Sequence, residues 1–78
     1  MPKIPIVKAK IFFKYLTKYG CDEISIRDSH HKLFNPVTNM TSIFAIHGDQ
    51  DVDKGSFSSI LKQLGIDVDD FLEFIENN

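Results

Sequence analysis

At 78 residues, the chain is expected to form one domain spanning 1–78. A domain this small buries only about 60–65% of the surface its unfolded form exposes, so its core must be thin and a deep substrate pocket is not expected. Seven Phe and an apolar fraction of 42% point to an ordered fold, and the single Cys21 excludes an internal disulfide or a cysteine-based metal framework.

The net charge of −2 hides an asymmetry. Residues 1–40 hold seven Lys and Arg against three acids, whereas residues 41–78 hold two Lys against eight acids. An acidic protein can therefore still present a basic face, and a polyanion meets the face rather than the net charge. Cys21 reads as a small apolar filler of an intracellular protein. No stretch approaches the ~18 apolar residues that span a bilayer, and the N-terminus lacks the basic region and apolar core of a signal peptide. A cytoplasmic protein with no membrane partner is expected.

Pro2 and Pro5 mark an extended entry. Val7, Ile11, Phe12, Tyr15, Leu16 and Tyr19 then recur at three- and four-residue steps, predicting an amphipathic helix that Gly20 closes. Lys10, Lys14 and Lys18 form a second stripe on that helix. Glu23-Ile24-Ser25-Ile26-Arg27 alternates as a half-buried strand does, and Asp28-Ser29 is a turn. A second strand runs from His30 to Asn35, a hairpin turn covers Pro36 to Asn39, and a third strand runs from Thr41 to Ile46. His47 to Lys54 is polar and acidic and reads as a loop. Phe57, Ile60, Leu61 and Leu64 then predict a second helix, ended by Gly65. Val68, Phe71, Leu72 and Ile75 line a short terminal helix, with Asp67 as its N-cap and acids in its first turn. The class is α+β: a small α-β-β-β-α domain with a short extra C-terminal helix, the sheet covered by helices on one face and free on the other.

The chemistry concentrates in Asp28-Ser29-His30-His31-Lys32-Leu33-Phe34. Alternation along a strand groups His30 with Lys32 and Phe34, and His31 with Leu33, so the two histidines cannot serve one site unless a bulge intervenes. Which group faces the helices is left open. Zinc needs three or four converging ligands, and this sequence offers no such set, so neither a metal nor a cofactor is expected. A histidine can instead act as a general base on the 2′-hydroxyl of RNA, with cations and backbone donors around the phosphate.

The order of these features, from Lys3-Ile4-Pro5 through Lys18-Tyr19-Gly20 to Leu64-Gly65-Ile66-Asp67-Val68-Asp69-Asp70-Phe71-Leu72, resembles the HicA family of toxin ribonucleases. That family carries a Gly-Ser-His signature on the second strand, matched by Ser29-His30, with His31 also common there. Ile46-His47-Gly48 matches a histidine closing the third strand, and Lys54-Gly55 with Ile60-Leu61-Lys62-Gln63 matches a Lys-Gly stretch opening the next helix. The resemblance implies a fold like the double-stranded RNA-binding domain and a toxin that cleaves messenger RNA without a metal. It also implies a partner antitoxin, HicB, that silences the toxin.

On that resemblance His30 is the catalytic residue, with Ser29 as an orienting hydroxyl and His47 as a candidate second acid. Lys32, Lys54, Lys10 and Lys14 are the candidate RNA contacts. The chain departs from the family in three places. Asp28 replaces the signature glycine, removing a residue tolerant of positive φ and placing a negative charge where a phosphate would bind. Ala45 replaces a proline, and Lys32 replaces an apolar residue. The alternative reading is a non-catalytic RNA- or protein-binding module of the same fold, its turnover lost through Asp28. A third is a protein-interaction domain using the acidic tail.

Overall fold

The computed structural model describes residues 4–77. A two-residue strand β1 (Val7–Lys8) leads into helix α1 (Ala9–Tyr19). Strands β2 (Asp22–Arg27), β3 (His30–Asn35) and β4 (Met40–Ala45) follow as an antiparallel meander in the spatial order β2-β3-β4. A second short strand, β5 (Asp51–Val52), precedes helices α2 (Lys54–Gln63) and α3 (Val68–Glu76). This is the α+β class and the α-β-β-β-α order with an added terminal helix that the periodicity predicts.

The helices form because their apolar residues recur at three- and four-residue spacing and bury one stripe. Phe12 and Leu16 of α1, Phe57 and Leu61 of α2 and Phe71 of α3 are fully buried. Phe12 sits at the centre, with ring centroids 4.8 Å from Phe57, 5.8 Å from Phe71 and 5.8 Å from Phe44 of β4. The three helices and β4 thus each place an aromatic ring in a thin core, where such ring pairs add to the burial of their apolar area. Cys21 is buried at the exit of α1, and burial pushes its thiol up to about 11, so it is a packing residue and an inert one.

Two expectations are corrected. The stretch 47–54 is not all loop: Val52 and Asp51 pair with Val7 and Lys8, joined by a Lys8–Asp51 ion pair of 3.3 Å. A two-residue ladder is too short to leave a periodic signal. The alternating strand over 22–27 is not half-buried, since all six of its residues are exposed, including Ile24 and Ile26. The helix layer reaches β3 and β4, through Phe13 against His31 and Phe12 against Phe44, and β2 lies beyond it.

The far end of the sheet is locked to the helices by polar contacts. Asn35, buried at the end of β3, donates from Nδ2 to the Leu64 carbonyl at 2.8 Å, and Thr38 Oγ1 donates to the same oxygen at 2.8 Å. These bonds satisfy a carbonyl at the C-terminus of α2 that has no partner within the helix. Gly65 follows in the left-handed region, with the Ile66 N–H donating to the Leu61 carbonyl and the Gly65 N–H to that of Lys62, a Schellman closure.

Candidate active site

The site is built at the opposite end of the sheet, where β2 turns into β3. Arg27 pairs with His30, which leaves Asp28 and Ser29 as a two-residue hairpin loop. Asp28 takes φ 56°, the region in which such loops usually place glycine at this position. Asp is among the few side-chain-bearing residues that visit it. The turn thus holds a left-handed φ at position 28 with an aspartate. The Ile46 N–H donates to the Ser29 carbonyl at 2.9 Å, holding the chain beyond β4 against this turn. Ser29, His30 and His47 consequently lie at one end of the sheet.

The register of β3 with β4 runs unbroken from His30–Ala45 to Asn35–Met40. Leu33 and Asn35 are buried, so strict alternation turns His31, Leu33 and Asn35 toward the helices. His30, Lys32 and Phe34 are thereby turned to the open face. The exposed His30 is flanked on that face by Arg27 from β2 and the small Ala45 from β4. Lys32 is one residue pair further along, between Ser25 and Ile43. Arg27 is a cation that the sequence reading did not single out. The signal was present, because a two-residue turn at 28–29 places position 27 opposite position 30.

His31 has a different task. Its Nδ1 lies 2.8 Å from Glu23 Oε2, and its ring packs edge-on against Phe13 at 5.2 Å. It ties exposed β2 to the helix-covered side of the sheet, away from His30.

A groove of about 720 Å³ runs between β4, the segment leading to β5, and α2. His47, Gln50, Ser59 and Gln63 line it, as does Ala45, so the groove opens one strand away from His30. Asp53, also on its wall, caps α2: its Oδ1 accepts from the Ser56 N–H at 2.7 Å and its Oδ2 from Ser56 Oγ at 3.1 Å. These bonds hold the Asp53 carboxyl below its ordinary range. Lys54 and Gly55 are the first two residues of α2, and that helix start already holds the Asp53 carboxylate.

The remaining cations divide between locations. Lys10 and Lys14 are exposed on α1, in the layer on the other side of the sheet from His30 and Lys32. The five acids of α3 and its cap, Asp67, Asp69, Asp70, Glu73 and Glu76, lie away from the open face as well. Among the described residues no three His, Cys, Asp or Glu side chains converge as metal ligands, and no helix is long and apolar enough to cross a membrane.

These features define a class: a small α+β domain whose three-stranded meander carries helices over two of its strands on one face and shows a histidine beside a tight hairpin turn on the other. The family model of the HicA toxin of bacterial toxin–antitoxin systems matches residues 9–66, most of the chain, from α1 through the closure of α2. The chain belongs to the HicA family, whose members are toxins of toxin–antitoxin pairs and in general endoribonucleases. No curated protein and no solved structure matched it.

Proposed function

We propose that this protein is a metal-independent endoribonuclease toxin acting on messenger RNA in the cytoplasm, silenced by a HicB-type antitoxin. The observation that carries the reading is the placement of His30. It stands exposed on the helix-free face, at the position to which the resemblance assigns the catalytic histidine, beside a turn in which Asp28 holds a left-handed φ.

In this reading the His30 imidazole takes the proton of a ribose 2′-hydroxyl, and the 2′-oxygen attacks the adjacent phosphorus. The bond from phosphorus to the 5′-oxygen breaks, and that oxygen takes a proton from a second acid, for which His47 at the same end of the sheet is the candidate. The products are a 2′,3′-cyclic phosphate and a 5′-hydroxyl. The Ser29 hydroxyl, at the mouth of the turn, orients the reacting groups. Lys32 lies on the same face to hold the phosphate, and Lys54 stands beside the groove where an adjoining nucleotide fits. Lys10 and Lys14, on the helix layer, would meet only an RNA that wraps around the domain.

His30→Ala tests the assignment. General acid–base groups contribute roughly 10²- to 10⁴-fold, so cleavage of messenger RNA by the variant should fall by at least the lower figure while its unfolding midpoint stays unchanged. Cleavage within about threefold of wild type, far below the range such groups contribute, would remove His30 from the mechanism. Products lacking the cyclic phosphate or its 3′-phosphate hydrolysis product would remove the mechanism itself.

A further inference from the structure

We infer that Arg27 is the principal phosphate-binding residue of this site, its guanidinium and the Lys32 ammonium clamping the scissile phosphate on either side of His30. The inference rests on the ribonuclease reading above and adds to it a residue and a substrate contact.

Three observations carry it. Arg27 is the direct cross-strand partner of His30, and both side chains stand on the open face. Directly opposed residues of an antiparallel pair hold their Cβ atoms about 4.5–5.5 Å apart. A phosphate over the imidazole is then within reach of a side chain as long as arginine. Lys32 follows two residues along the same strand and face, about 7 Å further on. The imidazole is thus bracketed laterally by one cation and lengthwise by another, while Ala45 leaves its third side open toward the groove.

The two cations are also uncommitted. Among the described residues neither Arg27 nor Lys32 has an ion pair, whereas Lys8 is taken up by Asp51 and the Asp49 carbonyl. The acids near Arg27 do not claim it. Asp28 is in the turn, Asp22 lies on the same face at the other end of β2 beside Phe34, and Glu23 is bonded to His31 on the helix side.

Arginine suits the task chemically. Its planar guanidinium matches two phosphate oxygens at once, which a lysine cannot do. Charge on those oxygens changes as the 2′-oxygen attacks, so donors fixed there act on the transition state as well as on binding. Arg27 sits on a paired strand, held next to His30 by the two-residue turn rather than by a mobile loop.

The test compares Arg27→Ala, Arg27→Lys, His30→Ala and, as a control for charge alone, Lys62→Ala on the helix layer. Binding is read by fluorescence anisotropy on a 2′-O-methylated single-stranded RNA pool, which cannot be cleaved by this route. Cleavage is read on the unmodified pool, and circular dichroism confirms that each variant is folded.

Arg27→Ala should bind about 10- to 100-fold more weakly, the loss expected for hydrogen bonds to a charged group. Its salt dependence should be shallower by about 0.7 in log–log slope, the value of one single-strand phosphate contact. Arg27→Lys should restore the slope but not the full cleavage rate. His30→Ala should bind as wild type and fail to cleave.

Arg27→Ala matching Lys62→Ala in affinity, slope and cleavage, with His30→Ala inactive, overturns the Arg27 assignment and leaves the ribonuclease reading standing. Arg27→Lys indistinguishable from wild type overturns the two-oxygen contact. A wild type that neither binds nor cleaves the pools overturns both readings together.

Discussion

Replacing Gly65 by alanine tests whether the sheet and α2 are locked together at the turn between β3 and β4. Gly65 has φ +69°, and a Cβ there would lie 2.8 Å from both Met40 Sδ and Thr38 Cγ2 and 3.1 Å from Thr38 Cβ. Gly48, with φ +53°, would place its Cβ in open space. The left-handed conformation costs an L-residue about 1–2 kcal/mol. Both alanine variants carry that cost, and both gain a similar amount from a less flexible unfolded chain. Their difference isolates packing.

Met40 can swing its sulfur away, but Thr38 is branched, and its hydroxyl is engaged with the Leu64 carbonyl and the Met40 N–H. Overpacking of this kind costs about 1–3 kcal/mol. Gly65→Ala should therefore be less stable than Gly48→Ala by that amount. A domain of this size has a total stability of about 4–12 kcal/mol, and each 1 kcal/mol lowers the melting temperature by about 4–8 °C. Urea denaturation with a shared slope reads the difference. Thr38→Ser, which keeps the hydroxyl and removes the methyl, should return part of the loss in the Gly65→Ala background. Equal midpoints for the Gly48 and Gly65 variants would show that the turn between β3 and β4 does not press on the closure of α2.

Two further outcomes are expected. Asp28→Gly relieves a positive φ and removes a carboxylate from beside the site. With a charge and a phosphate about 7 Å apart in a water-like medium, binding and cleavage should rise by about threefold, and the gain should shrink as salt screens it. A loss of cleavage in that variant would show that the Asp28 carboxylate orients a reacting group. Asp53→Ala removes the carboxylate that caps α2. Because the folded-state value of that carboxyl is lowered by the Ser56 N–H, its contribution is present above the ordinary carboxylate range and is lost as pH falls through the lowered value. The gap in denaturation midpoint between wild type and Asp53→Ala should narrow from pH 7 to pH 2–3, and a gap constant with pH would refute the assignment.

Much of this molecule is determined by local pattern. The stripe containing Phe12 and Leu16, the stripe containing Phe57, Ile60 and Leu61, and the glycines after them define α1 and α2 through 3.6-residue periodicity, which acts over a few turns and needs no partner. The turn at Asp28-Ser29 is likewise local, and with it comes the opposition of Arg27 and His30. The Ser29-His30 signature and its spacing to His47 and Lys54-Gly55 carry the family.

What the tertiary structure decided concerns partners distant in sequence. Period-two alternation separates His30 from His31 but is symmetric between the two faces. Only the packing of Phe13 and Phe44 of α1 and β4, with the buried Leu33 and Asn35, shows that His31 is covered and His30 is open. The exposure of β2 has the same origin, since its alternation is that of a half-buried strand and the helix layer does not extend over it. The two-residue ladder between Val7–Lys8 and Asp51–Val52 joins segments more than forty residues apart and leaves no periodic trace in either. Burial and face are properties of where layers end, and no local pattern encodes that.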